Sequence, residues 1–302
     1  MGVIGASGQD HPAIARGHVQ DSAGAHGHDW SATQVYACGN PAMIAAVRAA
    51  CEGWGVPAHD IIVEAFVPSG TSSIPLAEGS LDPLLERVGP RFSLDGMLAA
   101  RAQSIRAVAQ IAGKLRVGMT TAQAVEMADQ HLRDMGSSNT WHPTYIRFGD
   151  DTVRTPRQGV RRQRTLQPSD IVVVDIGPVW NGYEGDFGDT FVFGDDNLHR
   201  SCAQAARDVF SAAKVAWKTG LTGRKLYDYA EAQAERGGWK LERNLAGHRV
   251  SDFPHALYGP AKLAEMDIVP SDAVWVLEIQ LRHPERPVGA FYEDILVGLP
   301  GQ

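Results

Sequence analysis

The dipeptide Asn181-Gly182 stands between two apolar segments, which is the strongest short-range signal for a β-hairpin closed by a two-residue turn. Such a turn sets the register of the hairpin, so residues whose numbers add up to 363 are predicted to lie opposite each other. Gly177 would then face Asp186, and Asp175 would be the diagonal neighbour of Asp186 on the same face of the sheet. The turn therefore predicts that two carboxylates lie side by side.

The strand before this turn begins with Ile171–Val174, which is apolar on both faces and predicts burial. A charge in such a strand needs a partner, and diagonal side chains about 7 Å apart can reach one ion or a pair of ions. Without a cation the two acids would repel each other, and one would have to bind a proton. The register turns Asp189 to the opposite face, whereas Glu184 shares the face and is a candidate supporting residue. The alternative is that Asp175 and Asp186 lie on the solvated side of the hairpin.

Acidic residues recur in apolar segments further along the chain. Glu278 and Glu293 each lie within a strand-like segment, and the two segments are predicted to form a long hairpin. His248 and His255, in a stretch rich in Gly and Pro, add imidazole to the set. The four carboxylates carry four negative charges and a neutral imidazole adds none, so two divalent cations would balance the set.

Carboxylate and imidazole ligands together suit Mn, Co, Fe or Zn. Two such ions about 3.5–4 Å apart can bridge and acidify a water molecule and polarise a carbonyl oxygen. The acids and histidines therefore predict two divalent metal ions and metal-assisted hydrolysis.

The composition excludes several other classes of protein. The formal net charge is -7, from 28 Lys and Arg against 35 Asp and Glu, which disfavours nucleic acids and anionic membranes as partners. No stretch approaches the ~18 consecutive apolar residues of a membrane span, and the N-terminal residues lack the basic start and apolar run of a signal peptide. The three scattered cysteines are too few for a disulfide framework. We expect a cytoplasmic protein that acts on a small partner.

The sequence divides at a run of turn-forming residues, Pro68–Ser73. We expect an N-terminal part over 1–68, a linker over 69–92 and a larger domain over 93–302. The larger domain has an α+β pattern with an antiparallel sheet. Its predicted helices cover about 95–115, 120–135, 198–218 and 224–236, and its predicted strands cover 145–148, 171–179, 183–193, 274–281 and 290–297.

Six acidic and histidine residues follow one another in a characteristic order and spacing, namely Asp175, Asp186, His248, His255, Glu278 and Glu293. This string resembles the ligand string of the pita-bread metallopeptidases, the M24-like class of methionine aminopeptidase, prolidase and aminopeptidase P. The resemblance covers about 93–299. It implies an α+β pita-bread fold, in which helices cover a curved antiparallel sheet, and metallopeptidase activity.

The same resemblance implies a role for each metal ligand. Asp175 would bind one ion, while Asp186 and Glu293 would bridge the two ions. His248 and Glu278 would complete the shell of the second ion, and Glu278 would also handle the proton of the attacking water. We therefore expect an aminopeptidase or Xaa-Pro peptidase-like hydrolase with a small peptide or amide substrate. Whether it forms a homodimer is left open.

Two further histidines are expected to act in catalysis. The resemblance implies that His255 binds the substrate or the oxyanion. The family's upstream histidine, which follows a Gly-x-Asn turn, is absent after Phe148–Thr152, so His142 is the candidate for its role and a plain turn residue is the alternative. Gly247–Ser251 and Glu278–Gln280 also depart from the family's Gly-His-Gly-Ile-Gly and Glu-Pro-Gly, which predicts a different pocket floor.

The N-terminal part predicts a parallel strand-helix-strand unit, with strands at about 34–37 and 61–66. On Val35–Ile44 and Glu64–Phe66 it is similar to the last lobe of the nucleotide-binding domain of ferredoxin-reductase-like flavoproteins. The half that carries the pyrophosphate turn is not found, so we interpret this part as a remnant, a packing module or a partner-binding unit. Two alternatives to the hydrolase stay open: NAD(P)H-linked oxidoreductase activity through this part, and a metal-free pita-bread binding protein.

Overall fold

The structure is a computed structural model that describes residues 30, 33, 35–39, 41–57, 61–65, 86, 88–155, 158–159, 161–254 and 262–298. The chain divides into two compact units, Met1–Ser80 and Leu81–Gln302. Most of the predicted linker over 69–92 lies outside the described residues, and the domain boundaries predicted at 68 and 93 stay predictions.

The first unit contains strand β1 (Val35–Gly39), helix α1 (Pro41–Gly53) and strand β2 (Ile61–Ala65). The two strands pair in parallel, with Val35 opposite Ile61. Cys51 of the helix is fully buried in a small hydrophobic cluster with Ile61. The predicted strand-helix-strand unit of parallel type is therefore confirmed.

Four long helices are described in the second unit. Helix α2 (Leu94–Lys114) begins at Ser93, whose side chain accepts a hydrogen bond from the Gly96 N–H. Helix α3 (Thr121–Asp134) begins with a capping box, in which Thr120 and Gln123 exchange side chain to backbone hydrogen bonds. The other helices are α4 (Asn197–Trp217) and α5 (Gly223–Arg236).

Eight strands of this unit form one sheet, and every described pairing in it is antiparallel. The strands are β3 (Asn139–Phe148), β4 (Ile171–Trp180), β5 (Tyr183–Glu184), β6 (Phe187–Val192), β7 (Lys240–Leu241), β8 (His248–Arg249), β9 (Trp275–Arg282) and β10 (Gly289–Ile295). The main path runs β3-β4-β6-β10-β9-β7, while β5 pairs with β4 and β8 pairs with β9. The α+β class predicted from the sequence is confirmed.

The hairpin closed by Asn181-Gly182 has the predicted turn and register. Both residues have positive φ, 52° and 80°, as a type I′ turn requires. Ile176 pairs with Phe187, so the residue numbers add up to 363 along the ladder. The second strand differs from the prediction because it is interrupted, and Asp186 lies in the gap between β5 and β6.

The helices and the acidic residues lie on opposite faces of the sheet. In β4, Val174 belongs to the hydrophobic cluster formed with α2 and α3. In β9, Leu277 belongs to the cluster formed with α4 and α5. Because successive side chains of a strand alternate between faces, Asp175 and Glu278 point away from the helices. None of the helices in the described part of the chain is long and apolar enough to cross a membrane.

Candidate metal centre

Three predicted acids lie in one row across the sheet. Asp175 of β4 is opposite Gly188 of β6, Gly188 is opposite Glu293 of β10, and Glu293 is opposite Glu278 of β9. Asp175 and Glu293 are 5% and 2% exposed. Gly188 leaves the space between them, because a Cβ at this position would lie 2.8 Å from Glu293 Oε1. The row therefore brings three carboxylates from distant parts of the sequence together.

Asp186 lies beside this row and contacts two histidines. Its carboxylate is 1% exposed, with Oδ2 3.2 Å from His248 Nε2 and Oδ1 3.4 Å from His142 Nε2. His142 Nε2 is also 3.7 Å from Asp175 Oδ1. Asp186 is thus shared by two triads whose ligand atoms lie within 4.8 Å of one another, one with His142 and Asp175 and one with His248 and Glu293.

Both histidines turn the same ring nitrogen toward the acids. His142 Nδ1 lies 2.8 Å from the Pro143 carbonyl oxygen, and His248 Nδ1 lies 3.1 Å from the Arg249 carbonyl oxygen. A carbonyl oxygen only accepts, so each Nδ1–H donates and each Nε2 faces the carboxylates. The indole of Trp141 packs edge-on against both imidazoles, with ring centroids 4.5 Å from His142 and 5.1 Å from His248. The backbone and this tryptophan therefore orient both rings.

The pKa values record how strongly these groups interact. Burial acts to raise the pKa of Asp186, but hydrogen bonding to His142 and His248 outweighs burial and lowers it to about 2. Burial acts to lower the pKa of His248, but pairing with Asp186 raises it to about 10. Burial and the charges of Asp175 and Asp186 raise the pKa of Glu293 well above its ordinary value. The cluster therefore carries more acid than its histidines neutralise.

The residues of the cluster fit divalent metal ions. Glu293 Oε1 is buried and has no hydrogen-bond partner among the described residues, an arrangement that costs free energy unless a cation binds there. Each triad offers two carboxylates and one imidazole, a donor set that suits Zn, Co, Fe or Mn. The site can therefore hold metal.

Two predicted acids support the centre from its edge. Glu278 lies next to Glu293 but belongs to neither triad, and its Oε2 accepts the Gly247 N–H at 2.9 Å. Glu184 is 1% exposed and accepts the Ser251 N–H at 3.0 Å, so it anchors the segment that follows His248. The roles predicted for these residues stay predictions.

The other predictions have mixed outcomes. Asp189 faces away from the cluster, as predicted, and pairs with Arg207 at 2.9 Å. His142 is a strand residue rather than a turn residue. His255 lies outside the described residues. The sequence did not lead us to predict Arg147, which is 1% exposed and whose Nη2 lies 3.9 Å from Asp175 Oδ2. The signal in the sequence was an arginine that alternates with apolar residues in β3.

Comparisons with known proteins give the family of the second unit. The model of metallopeptidase family M24 matches residues 95–297. Methionine aminopeptidase 1 of Dictyostelium discoideum is 25% identical over 206 residues, which cover 62% of this chain and 55% of that protein. The human mitochondrial methionine aminopeptidase 1D is 25% identical over 162 residues, which cover 51% of this chain and 47% of that protein. This chain thus spans about half the length of these curated relatives.

Solved structures share the fold. The X-Pro aminopeptidase of Thermotoga maritima superposes with a TM-score of 0.55 at 21% identity, over 68% of this chain and 60% of that one. The Xaa-Pro dipeptidase of Bacillus anthracis gives a TM-score of 0.58 at 16% identity, over 84% of this chain and 66% of that one. The methionine aminopeptidase of Thermotoga maritima gives 0.56 at 16% identity, over 70% of this chain and 95% of that one. The predicted pita-bread architecture is confirmed.

Proposed function

The chain belongs to metallopeptidase family M24, and we propose that it is a dinuclear metal-dependent hydrolase that cleaves a peptide or amide C–N bond near a free terminus. The observation that carries the proposal is the position of Asp186, whose carboxylate belongs to both histidine-carboxylate triads. A carboxylate shared in this way suits a pair of neighbouring cations.

The residues that would hold the ions are Asp175, Asp186, His248, Glu278 and Glu293. When bound, two such ions supply an activated water nucleophile at neutral pH and a Lewis acid for the substrate carbonyl oxygen. We propose Mn, Co, Fe or Zn because imidazole and carboxylate are combined.

The two paired glutamates are proposed to differ in role because they differ in exposure. Glu293 is 2% exposed and suits a ligand that no substrate reaches. Glu278 is partly exposed and its Oε2 already accepts the Gly247 N–H, so its carboxylate is held in place while open to a substrate. We therefore assign proton transfer from the nucleophile to the leaving amine to Glu278. His255 is proposed to bind the substrate.

The similar proteins suggest the general class of substrate. Methionine aminopeptidases and Xaa-Pro peptidases are both among the similar proteins, so a short peptide with a free N-terminus is the proposed substrate. The cytoplasmic location stays a prediction, because one relative is mitochondrial. The NAD(P)H-linked alternative rests on 1–68, which the family match over 95–297 does not include.

The experiment is a substrate screen on the full-length chain loaded separately with each of the four metals. Xaa-Pro dipeptides, peptides with N-terminal Met, and small amide or guanidino compounds are incubated with the protein, and products are identified by mass spectrometry. We expect hydrolysis that Asp186→Asn abolishes. Asp189→Asn is the matched control, because Asp189 follows three residues later and faces the helices. A chain that binds none of the metals and hydrolyses nothing would support the metal-free binding protein instead.

A further inference from the structure

We propose that His142 is itself a ligand of the metal centre, so that each of the two ions is bound by one imidazole. This inference rests on the function proposed above and deepens it. It replaces the catalytic role expected for His142 from the sequence with a direct bond between its Nε2 and the ion at Asp175 and Asp186.

The first argument is distance. His142 Nε2 lies 3.4 Å from Asp186 Oδ1 and 3.7 Å from Asp175 Oδ1. His248 Nε2, an expected ligand, lies 3.2 Å from Asp186 Oδ2. The two imidazoles thus approach the two oxygens of one carboxylate in the same manner. The three donor atoms of His142, Asp175 and Asp186 all lie within 4.8 Å of one another, which leaves room for an ion bonded to each at about 2 Å.

The second argument is the orientation of the ring. The Nδ1–H of His142 donates to the Pro143 carbonyl oxygen at 2.8 Å. Metal-binding histidines characteristically donate their other ring N–H to a carbonyl or carboxylate, which sets the tautomer and leaves the second nitrogen for the metal. His248 has the same arrangement with Arg249.

The third argument is that the backbone is adapted to this position. The pairing of β3 with β4 shifts register between Thr140 and His142 and again between His142 and Tyr145. These irregularities re-aim the side chain of His142. Its ring lies over Gly177, where any Cβ would overlap the imidazole. Trp141 packs edge-on against both histidines.

A second imidazole changes which metals the centre would select. Carboxylates alone favour Mg, Ca and Mn, whereas imidazole favours Zn, Co and Fe. One imidazole at each position would shift the metal preference of both positions away from Mg and Ca. We therefore expect Co²⁺ and Zn²⁺ to bind both positions more tightly than Mg²⁺ does.

The test uses Co²⁺ bound to the full-length chain, because paramagnetic Co²⁺ strongly shifts the proton NMR signals of its ligands. Each imidazole bound through Nε2 contributes one shifted Nδ1–H signal that is present in H₂O and absent in D₂O. We expect two such signals in the wild type. His142→Ala should remove one and His248→Ala the other, and His142→Ala should weaken Co²⁺ binding at one position at least about tenfold by calorimetric titration.

The matched control is His131→Ala on α3, since His131 bonds to Gln110 and Lys114 outside the centre; it should keep both signals. One shifted imidazole signal in the wild type, or two signals that survive His142→Ala, would overturn the proposal while leaving the hydrolase intact. Co²⁺ that binds without any dependence on Asp186 would overturn the hydrolase itself and this inference with it. The wild-type signal count needs no variant, so misfolding of His142→Ala does not remove the test.

Discussion

Asp186→Asn should abolish the stabilisation that metal ions give to the second unit, because Asp186 is the only carboxylate that both triads share among the described residues. Asparagine keeps the shape of the side chain but has no charge and only one acceptor oxygen. Both positions therefore lose a charged ligand at once, and neither ion is expected to bind tightly.

The size of the lost stabilisation can be worked out from the size of the unit. A ligand at 100 times its dissociation constant stabilises the folded state by about 2.7 kcal/mol. The second unit spans Leu81–Gln302, and about 2.1 cal/mol/K per residue gives an unfolding entropy of about 0.47 kcal/mol/K. Each ion should therefore raise the Tm of this unit by about 6 °C, and two independent ions by about 12 °C.

Differential scanning calorimetry of the full chain, with Mn²⁺ or Co²⁺ and with a chelator, measures this shift. Wild type and Asp189→Asn should both show it, since Asp189 pairs with Arg207 on the other face of the sheet. The Asp189 variant unfolds at a lower temperature overall, but its metal-dependent difference should persist. A metal-dependent shift in Asp186→Asn as large as in the wild type would refute the assignment of Asp186 as the shared ligand.

Two other substitutions test the surroundings of the centre. Gly188→Ala should destabilise the second unit by about 1–3 kcal/mol and lower metal affinity, because its Cβ would lie 2.7 Å from Phe291 and 2.8 Å from Glu293 Oε1. The control is Gly113→Ala, whose Cβ meets nothing within 4 Å and which should be neutral or stabilising. Chemical denaturation measures the stability of both variants. Trp141→Phe should remove most of the fluorescence change caused by Co²⁺, since Trp141 contacts both imidazoles; an undiminished change would place the metal elsewhere.

Much of the centre could be predicted because one turn sets the register of a whole hairpin. The Asn181-Gly182 pair requires positive φ at both positions, and a period of two then transmits the register along the whole hairpin. That register correctly put Asp175 beside Asp186 and turned Asp189 away from both. The apolar context of Glu278 and Glu293 then pointed to acids that need a cation.

The position of His142 could not be obtained in this way. In a regular pairing of β3 with β4, the position of a residue along the strand would decide which face of the sheet its side chain occupies. This ladder, however, shifts register on both sides of His142. A shift of one residue moves a side chain to the other face. Pro143 lies between the two paired positions His142 and Tyr145 and is typical of an edge strand or a bulge, but it does not tell how many residues the ladder shifts. Arg147 was missed for a different reason: a buried arginine beside Asp175 is unexpected from composition, because arginine is rarely fully buried unless paired.

Glycines in this sheet leave the space in which the side chains of the centre approach one another. Asp175 and Glu293 lie on strands that are not neighbours, with β6 between them, so any side chain at Gly188 would occupy the place where their carboxylates converge. Gly177 likewise leaves the space that the ring of His142 fills. The sequence signature of the centre is therefore a set of acids and histidines together with the glycines that face them. In this sheet a glycine opposite an acid therefore lets a second carboxylate or an imidazole approach that acid.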